Sequence, residues 1–365
     1  MDKNPQNQEQ TKEKTYKYNP KPEFEQRMNK VLELSGSDEK DKKTFWEIVH
    51  KEPKNSIRCN TLKIQPAELK EKLETKGWKI QVPYKNYPEI MIIENPLLPG
   101  ELGRAKEHLL GYYYVQEISS MMPMLALMPD ENDSYLDLCA APGSKTTQAA
   151  AMMKNKGNII ANDSKLGRMM ILASNLEKAG VSNALITKRD GVQLCKKLKK
   201  INFNLSKILV DAQCSGEGTL RSTPATFLMW NEKSIFNLAS QQKVLDYSAL
   251  DLLMEGGEMI YSTCTHAPEE NEEVVQFLLD NFDIKIEKIK DSLPIKTRQG
   301  ISEWQGKKFS KEIKNCVRIY PQDNNTEGFF ICKIKKLSNK LKKESQENSE
   351  QNPETNEENF EDNYE

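Results

Sequence analysis

The chain has 365 residues, with 53 Lys and Arg against 54 Asp and Glu and a formal net charge of −1. No apolar run approaches the roughly 20 residues that a membrane-spanning helix needs, which argues against such a helix. Seven cysteines, an odd count set mostly in apolar strand-like runs, point to reduced thiols rather than a disulfide frame, and the lack of close Cys/His dyads argues against a structural zinc.

Residues 1–20 are polar and rich in Lys, Gln and Asn, and read as a disordered tail without the apolar core of a leader peptide. A cytoplasmic protein is expected, or a nuclear one in a eukaryote. Helical spacing of Phe24, Met28, Val31 and Leu32 predicts helix near 22–50. IRCNTLK then reads as a strand and PAELKEKLETKG as a helix with Pro at its start and Gly at its end. WKIQV and EIMIIE read as further strands. Residues 21–111 are therefore expected to form a small α/β module.

From 112 to 336 the pattern alternates. The predicted strands are SYLDL, NIIAND, ALITKRD, KILVD, EMIYST and GFFICKIKK. Between them lie helical stretches such as SKTTQAAAMM, LGRMMILASNLEKAG and SIFNLASQQKVLDYSALDLL. Repeated β-α units with apolar strands predict a mostly parallel sheet covered on both faces. Residues 337–365 hold three Lys against nine acids, a net −6, so the remainder carries +5. The tail reads as acidic and disordered, and a weakly basic body suits a polyanionic partner.

YLDLCAAPGSKT places a Gly turn between a strand and a helix but matches neither the dinucleotide fingerprint nor the phosphate loop. Ala140, Ala141 and Gly143 allow a ligand close to the backbone, and Pro142 stiffens the turn. The next helix points its N-terminus at the site, which favours a carboxylate such as that of S-adenosylmethionine. Asp163 ends the second strand, where a carboxylate would hold ribose hydroxyls. Asp190 ends the third, placed to meet the adenine amino group.

Cys214 and Cys264 each lie just beyond an apolar run, among small polar residues. Cys139, Cys195, Cys316 and Cys332 read instead as buried hydrophobes. Two strand-end thiols beside a cofactor turn suit covalent chemistry on an electron-poor ring. A thiolate adding to C6 of cytosine makes C5 nucleophilic towards an electrophilic methyl. Asp211 is placed to hydrogen-bond N3 and the exocyclic amine, and Lys145 to orient the ring or stabilise charge.

The segments DLCAAPGSKT, VDAQCSGEGTLR, YSTCTHAPEENEEVV and EGFFICKI resemble, in order and spacing, the motifs of the Nop/Sun family of RNA cytosine-5 methyltransferases. The resemblance spans about residues 50–336. It implies a Rossmann-like class I methyltransferase domain with a mostly parallel seven-stranded sheet, plus a smaller N-terminal α/β RNA-binding module. Cys264 would be the nucleophile and Cys214 the residue that assists product release. Cofactor contacts would come from Cys139, Ala140, Ala141, Pro142, Gly143, Ser144 and Lys145, and from Asp163, Arg168, Asp190 and Asp211. The compact layout and Arg221 resemble the tRNA-modifying branch, so the expected partner is RNA, tRNA in particular, bound by a monomer without a metal.

Arg58, Lys63, Lys70 and Lys72 are candidate phosphate contacts, Arg221 is a further candidate RNA-binding residue, and Tyr112 to Tyr114 could stack on a base. The resemblance breaks at Gln213, where the family carries proline. Two rivals stand beside a tRNA enzyme. One is the same chemistry on ribosomal RNA, and the other is an RNA-binding assembly factor that has lost turnover.

Overall fold

The computed structural model of the protein describes residues 18–342. Most of the two expected tails therefore lies outside the described residues. Helix α1 (Pro22–Leu34) opens with Pro at its first position, and Asp38 caps α2 (Glu39–Ile48) by accepting the Asp41 N–H at 2.8 Å. The apolar stripe of these helices does not join the small module. Phe24, Met28, Leu32 and Phe45 pack against Phe227, Trp230, Ala267 and Tyr320 of the catalytic half. Helical periodicity predicts a buried face without naming what covers it.

The small module contains β1 (Ser56–Cys59), α3 (Pro66–Thr75), β2 (Ile80–Gln81) and β3 (Ile90–Ile93). Two single turns follow, α4 (Glu101–Arg104) and α5 (Lys106–Leu109), then β4 (Tyr113–Val115). The sheet is antiparallel in the order β2-β3-β1-β4. Leu69 and Leu73 of α3 cover it, packing with Ile57, Trp78 and Met91. Because Tyr114 of β4 pairs with Arg58 of β1, the boundary expected at 111/112 falls inside this sheet.

Helix α6 (Ile118–Leu127), buried along most of its length, leads into the large sheet. In chain order follow β5 (Ser134–Asp137), α7 (Ser144–Met152), β6 (Asn158–Asn162), α8 (Leu166–Ala179), β7 (Ala184–Thr187) and α9 (Gly191–Lys200). Next come β8 (Lys207–Asp211), α10 (Thr226–Met229), α11 (Glu232–Leu252), β9 (Glu258–Thr263), α12 (Glu272–Asn281) and β10 (Phe282–Glu287). The described residues end with β11 (Arg298–Gln299), the hairpin β12 (Glu303–Trp304) and β13 (Lys307–Lys308), β14 (Val317–Ile319), α13 (Pro321–Asn324) and β15 (Phe329–Leu341).

Strands β7, β6, β5, β8 and β9 are parallel, and β15 joins antiparallel to β9. The free edge of β15 pairs with β14 over one part and β10 over another. The five parallel strands with β15 and β10 are the expected seven, and β14 with β11 extends the sheet to nine. β15 runs to Leu341, past the boundary expected at 336.

Alternation along the strands divides the core. Leu136, Ile208 and Val210 face Leu194, Leu250 and Val275 on α9, α11 and α12. Tyr135, Leu209 and Ile260 face Met121, Ala149 and Leu172 on α6, α7 and α8.

One ion pair ties the added strand β14 to α12 and to the segment after β9. Arg318 of β14 donates to both oxygens of Glu272, at 2.7 and 2.5 Å, and to the carbonyl of His266 at 3.0 Å. Both side chains are fully buried. Removing one partner of such a pair strands the other charge in a low-dielectric interior. Glu272→Ala should therefore cost roughly 3–5 kcal/mol in urea unfolding. A loss under 1 kcal/mol would show that the pair carries little of the stability of this region.

Candidate active site

The parallel register of β8 and β9 sets Asp211 beside Ser262. Both chains continue past the end of the sheet, and the thiols of Cys214 and Cys264 meet with their Sγ atoms 3.2 Å apart. The Gly218 N–H donates to the Cys264 carbonyl at 2.9 Å, and the Gly328 N–H donates to the Gly218 carbonyl at 2.8 Å. A Cβ at Gly218 would lie 2.5 Å from the Gly328 oxygen and 2.8 Å from the Cys264 oxygen, so this contact needs glycine.

The Cys214 loop is fixed from behind. Glu270 accepts the Ser215 N–H at 3.0 Å and Gln242 Nε2 at 2.9 Å, and the same Nε2 donates to the Gln213 carbonyl at 2.9 Å. Gln213 replaces the family proline, and its carbonyl is held by a side chain of α11. Hydrogen bonding to Cys264, reinforced by burial, pushes the Cys214 thiol well above its ordinary range, so it keeps its proton near neutrality. Burial pushes Glu270 up to about 7, against the hydrogen bonds that favour its charge.

The cofactor turn follows β5. Gly143 has φ +107°, and a Cβ there would come within 3.0 Å of Leu172 Cδ1 and 3.1 Å of Leu176 Cδ1. Lys145, on the first turn of α7, donates to Asp211 Oδ2 at 2.7 Å and to Ser120 Oγ at 3.0 Å, while Ser262 donates to Asp211 Oδ1 at 2.8 Å. The Lys145 ammonium also lies 5.2 Å from the centre of the Phe329 ring. Thr146 donates to Asp137 at 2.7 Å, and burial pushes that carboxyl up to about 7.

Asp163 is buried and accepts the Lys165 N–H at 3.0 Å, with Arg168 Nε 3.5 Å away. Arg168 also donates to the Ala141 carbonyl at 2.5 Å, bracing the turn. Asp190 caps α9 through the Gln193 N–H at 3.0 Å. One cavity of about 700 Å³ is lined by Asp163 and Asp190 as well as by Asp211, Cys214 and Cys264. Cys139 and Ala141 line it too, while Ala140, Pro142, Gly143 and Ser144 form the turn behind.

The expected RNA contacts Arg58 and Arg221 are corrected by their burial. Arg58, 3% exposed, donates to Ser144 O at 2.8 Å and Thr147 Oγ1 at 2.7 Å. Arg221, 2% exposed, donates to the carbonyls of Lys51 at 3.0 Å and Thr326 at 2.9 Å and to Asn325 Oδ1 at 2.8 Å. Lys63 is exposed, but its ammonium bridges the carbonyls of Leu110 at 3.0 Å and Lys178 at 2.7 Å. All three hold parts of the fold together. Lys70 and Lys72 form solvated pairs with Glu74 and Glu68 along α3. Tyr113 is core, and Tyr114 lies against Arg58.

Sequence reasoning missed Ser120, Ser262, Gln242 and Glu270. The Ser beside Thr263 and the acids after Pro268 carried a usable signal, since polar residues clustered beyond an apolar strand need a reason.

The strand order, with its antiparallel last pair, and a cavity joining a Gly turn to strand-end acids define a class I S-adenosylmethionine-dependent methyltransferase. The cradle at Gly143 and the cavity's acids fit that cofactor. The family model for 16S rRNA methyltransferase RsmB/F matches residues 124–335, and that for the N-terminal domain of 16S rRNA methyltransferase RsmF matches 21–118. The chain belongs to this Sun/Nop family of RNA cytosine-5 methyltransferases.

The tRNA (cytosine(49)-C(5))-methyltransferase of Pyrococcus abyssi is 41% identical over 87% of this chain and 98% of its own length. Ribosomal RNA small subunit methyltransferase F of Vibrio campbellii is 39% identical over 78% of this chain. The match spans only 57% of that relative's length. Among solved structures, a methyltransferase homolog from Pyrococcus horikoshii superposes with TM-score 0.70 at 33% identity, covering 85% of this chain and 99% of its own. NSun6 from Pyrococcus horikoshii with SFG gives TM-score 0.68 at 25% identity, covering 85% of this chain and 97% of its own.

Glu270 carries a pH signature. Its carboxyl is raised in the folded protein, so the unfolded chain gives up this proton first. Its contribution to stability is full below the ordinary glutamate range and is lost as pH rises through about 7. Measured between pH 4.5 and 8, the wild type should lose stability relative to Glu270→Gln by roughly 1–3 kcal/mol. Parallel curves for the two proteins would remove Glu270 as the titrating group.

Proposed function

We propose that this protein methylates C5 of cytosine in tRNA through a covalent bond between Cys264 and C6. The carrying observation is the 3.2 Å approach of the two thiols in a cavity also lined by Asp211, which Lys145 holds. The Cys264 thiolate adds to C6, and the displaced electron pair makes C5 enamine-like. Asp211, held as the partner of an ammonium, accepts the exocyclic amine N–H. The adjacent Lys145 ammonium supplies the donor for N3 or O2, where charge develops. S-adenosylmethionine, when bound, supplies the electrophilic methyl. Transfer of the C5 proton to a solvent water then restores the C5–C6 double bond as the C6–S bond breaks and the Cys264 sulfur leaves as thiolate. Cys214, which holds its own proton, lies within reach of that sulfur and assists release.

The tRNA reading is supported by the near full-length match to the Pyrococcus abyssi enzyme. The Vibrio relative, at 39% identity, favours ribosomal RNA as the second reading. Bisulfite sequencing of tRNA and small-subunit rRNA transcripts, each incubated with protein and cofactor, separates them. Methylation confined to rRNA would overturn the tRNA assignment.

Two variants test the chemistry. Cys264→Ala should abolish methylation and form no protein–RNA adduct on denaturing gels. Cys214→Ala should accumulate that adduct while turnover falls by about 10²-fold or more. Methylation at the wild-type rate by Cys264→Ala would refute the nucleophile assignment. RNA and cofactor binding by the wild type without any methylation would favour a factor that has lost turnover.

A further inference from the structure

Arg58 crosses from β1 of the small sheet to the first turn of α7. Nη1 donates to Ser144 O at 2.8 Å and to Gln116 Oε1, and Nη2 donates to Thr147 Oγ1 at 2.7 Å. The guanidinium lies 5.6 Å from the centre of the Tyr114 ring, and its Nε has no partner. Every one of these hydrogen-bond partners is neutral, and among the described residues the carboxylate of Glu89 acts on Arg58 only through space, without an ion pair. Burial lowers its pKa to about 10, which leaves it charged at neutral pH.

A buried cation without a direct ion-pair partner is costly. It also stands at the positive end of a helix, where acids are normally favoured. The first turn of α7 holds no acid. Its other cation, Lys145, is already engaged by Asp211. The start of α7 thus combines backbone N–H groups without helical partners, a helix dipole and a guanidinium held by no direct ion pair. That field suits an anion, and the anionic group of S-adenosylmethionine is its carboxylate.

We propose that Arg58 is a positioning residue that sets the potential at the start of α7 for the cofactor's carboxylate, so that the small module takes part in cofactor binding. Arg58 acts through Ser144 and Thr147, the residues that follow the Gly143 turn, and no direct contact with cofactor is required. This rests on the S-adenosylmethionine assignment.

The test is calorimetric binding of S-adenosylmethionine and of decarboxylated S-adenosylmethionine to wild type, Arg58→Lys and Arg58→Met, without RNA. The ratio of the two affinities on one preparation does not depend on the folded fraction. The wild type should prefer the carboxylated ligand, and Arg58→Met should lower that preference on the order of tenfold. Arg58→Lys, which keeps the charge but not the fork, should retain most of it. An unchanged ratio in Arg58→Met, with both ligands weakened equally or neither weakened, would reduce Arg58 to a docking residue. Equal wild-type affinity for the two ligands would also overturn the proposal. Failure of the wild type to bind either one would overturn the cofactor assignment and this proposal with it.

Discussion

The active site depends on the parallel pairing of β8 with β9. That register fixes Asp211 against Ser262, and the two chains then have only two or three residues in which to bring their thiols together. A one-residue slip would turn every side chain of β9 to the other face of the sheet. The alternation of Ile208, Leu209 and Val210 between two apolar layers forbids the slip. The same cores that stabilise the domain therefore hold the sulfurs of Cys214 and Cys264 in place. Gly218 holds the Cys264 carbonyl and is itself held by the Gly328 N–H, which brings the start of β15 into this arrangement.

A second consequence concerns the cations. The arginines in the recognisable motifs are spent on architecture. Arg58 joins the small sheet to α7, Arg221 joins the loop after Cys214 to residues 51 and 326, and Arg318 locks β14 to α12. Arginine suits such work because its planar fork satisfies several acceptors at once. Asn60 strengthens the same junction by donating to the carbonyls of Gly111 and Ala179, both at 2.8 Å. The module is thus coupled mechanically to the turn that precedes α7.

Much of the catalytic half was legible in the sequence. The predicted strands correspond to β5 through β9 and β15, and the cavity gathers Asp163, Asp190, Asp211, Cys214 and Cys264 as the strand ends suggested. Each of those signals is local, an apolar run followed by a group that would be expensive to bury without purpose. What stayed hidden was relational. Phe24 and Met28 announced a buried face but could not say that Phe227 and Trp230 cover it. β10, with Ile284 and Ile286 alternating, follows α12 directly and is not among the predicted strands. A basic residue in a motif reads as a phosphate contact until burial shows that its donors are already filled.

The loop around Cys214 shows how a departure from family sequence is absorbed. Proline before the thiol would fix φ at that position and remove an N–H. Glutamine does neither, so rigidity must come from contacts made by other segments. Gln242 supplies it by clasping the Gln213 carbonyl and Glu270 together, and Glu270 in turn takes the Ser215 N–H. The loop is then held at both sides of Cys214 by one buried carboxyl that titrates near neutrality. Covalent constraint has been exchanged for an ionisable one. The placement of the Cys214 thiol thereby becomes sensitive to proton concentration through Glu270.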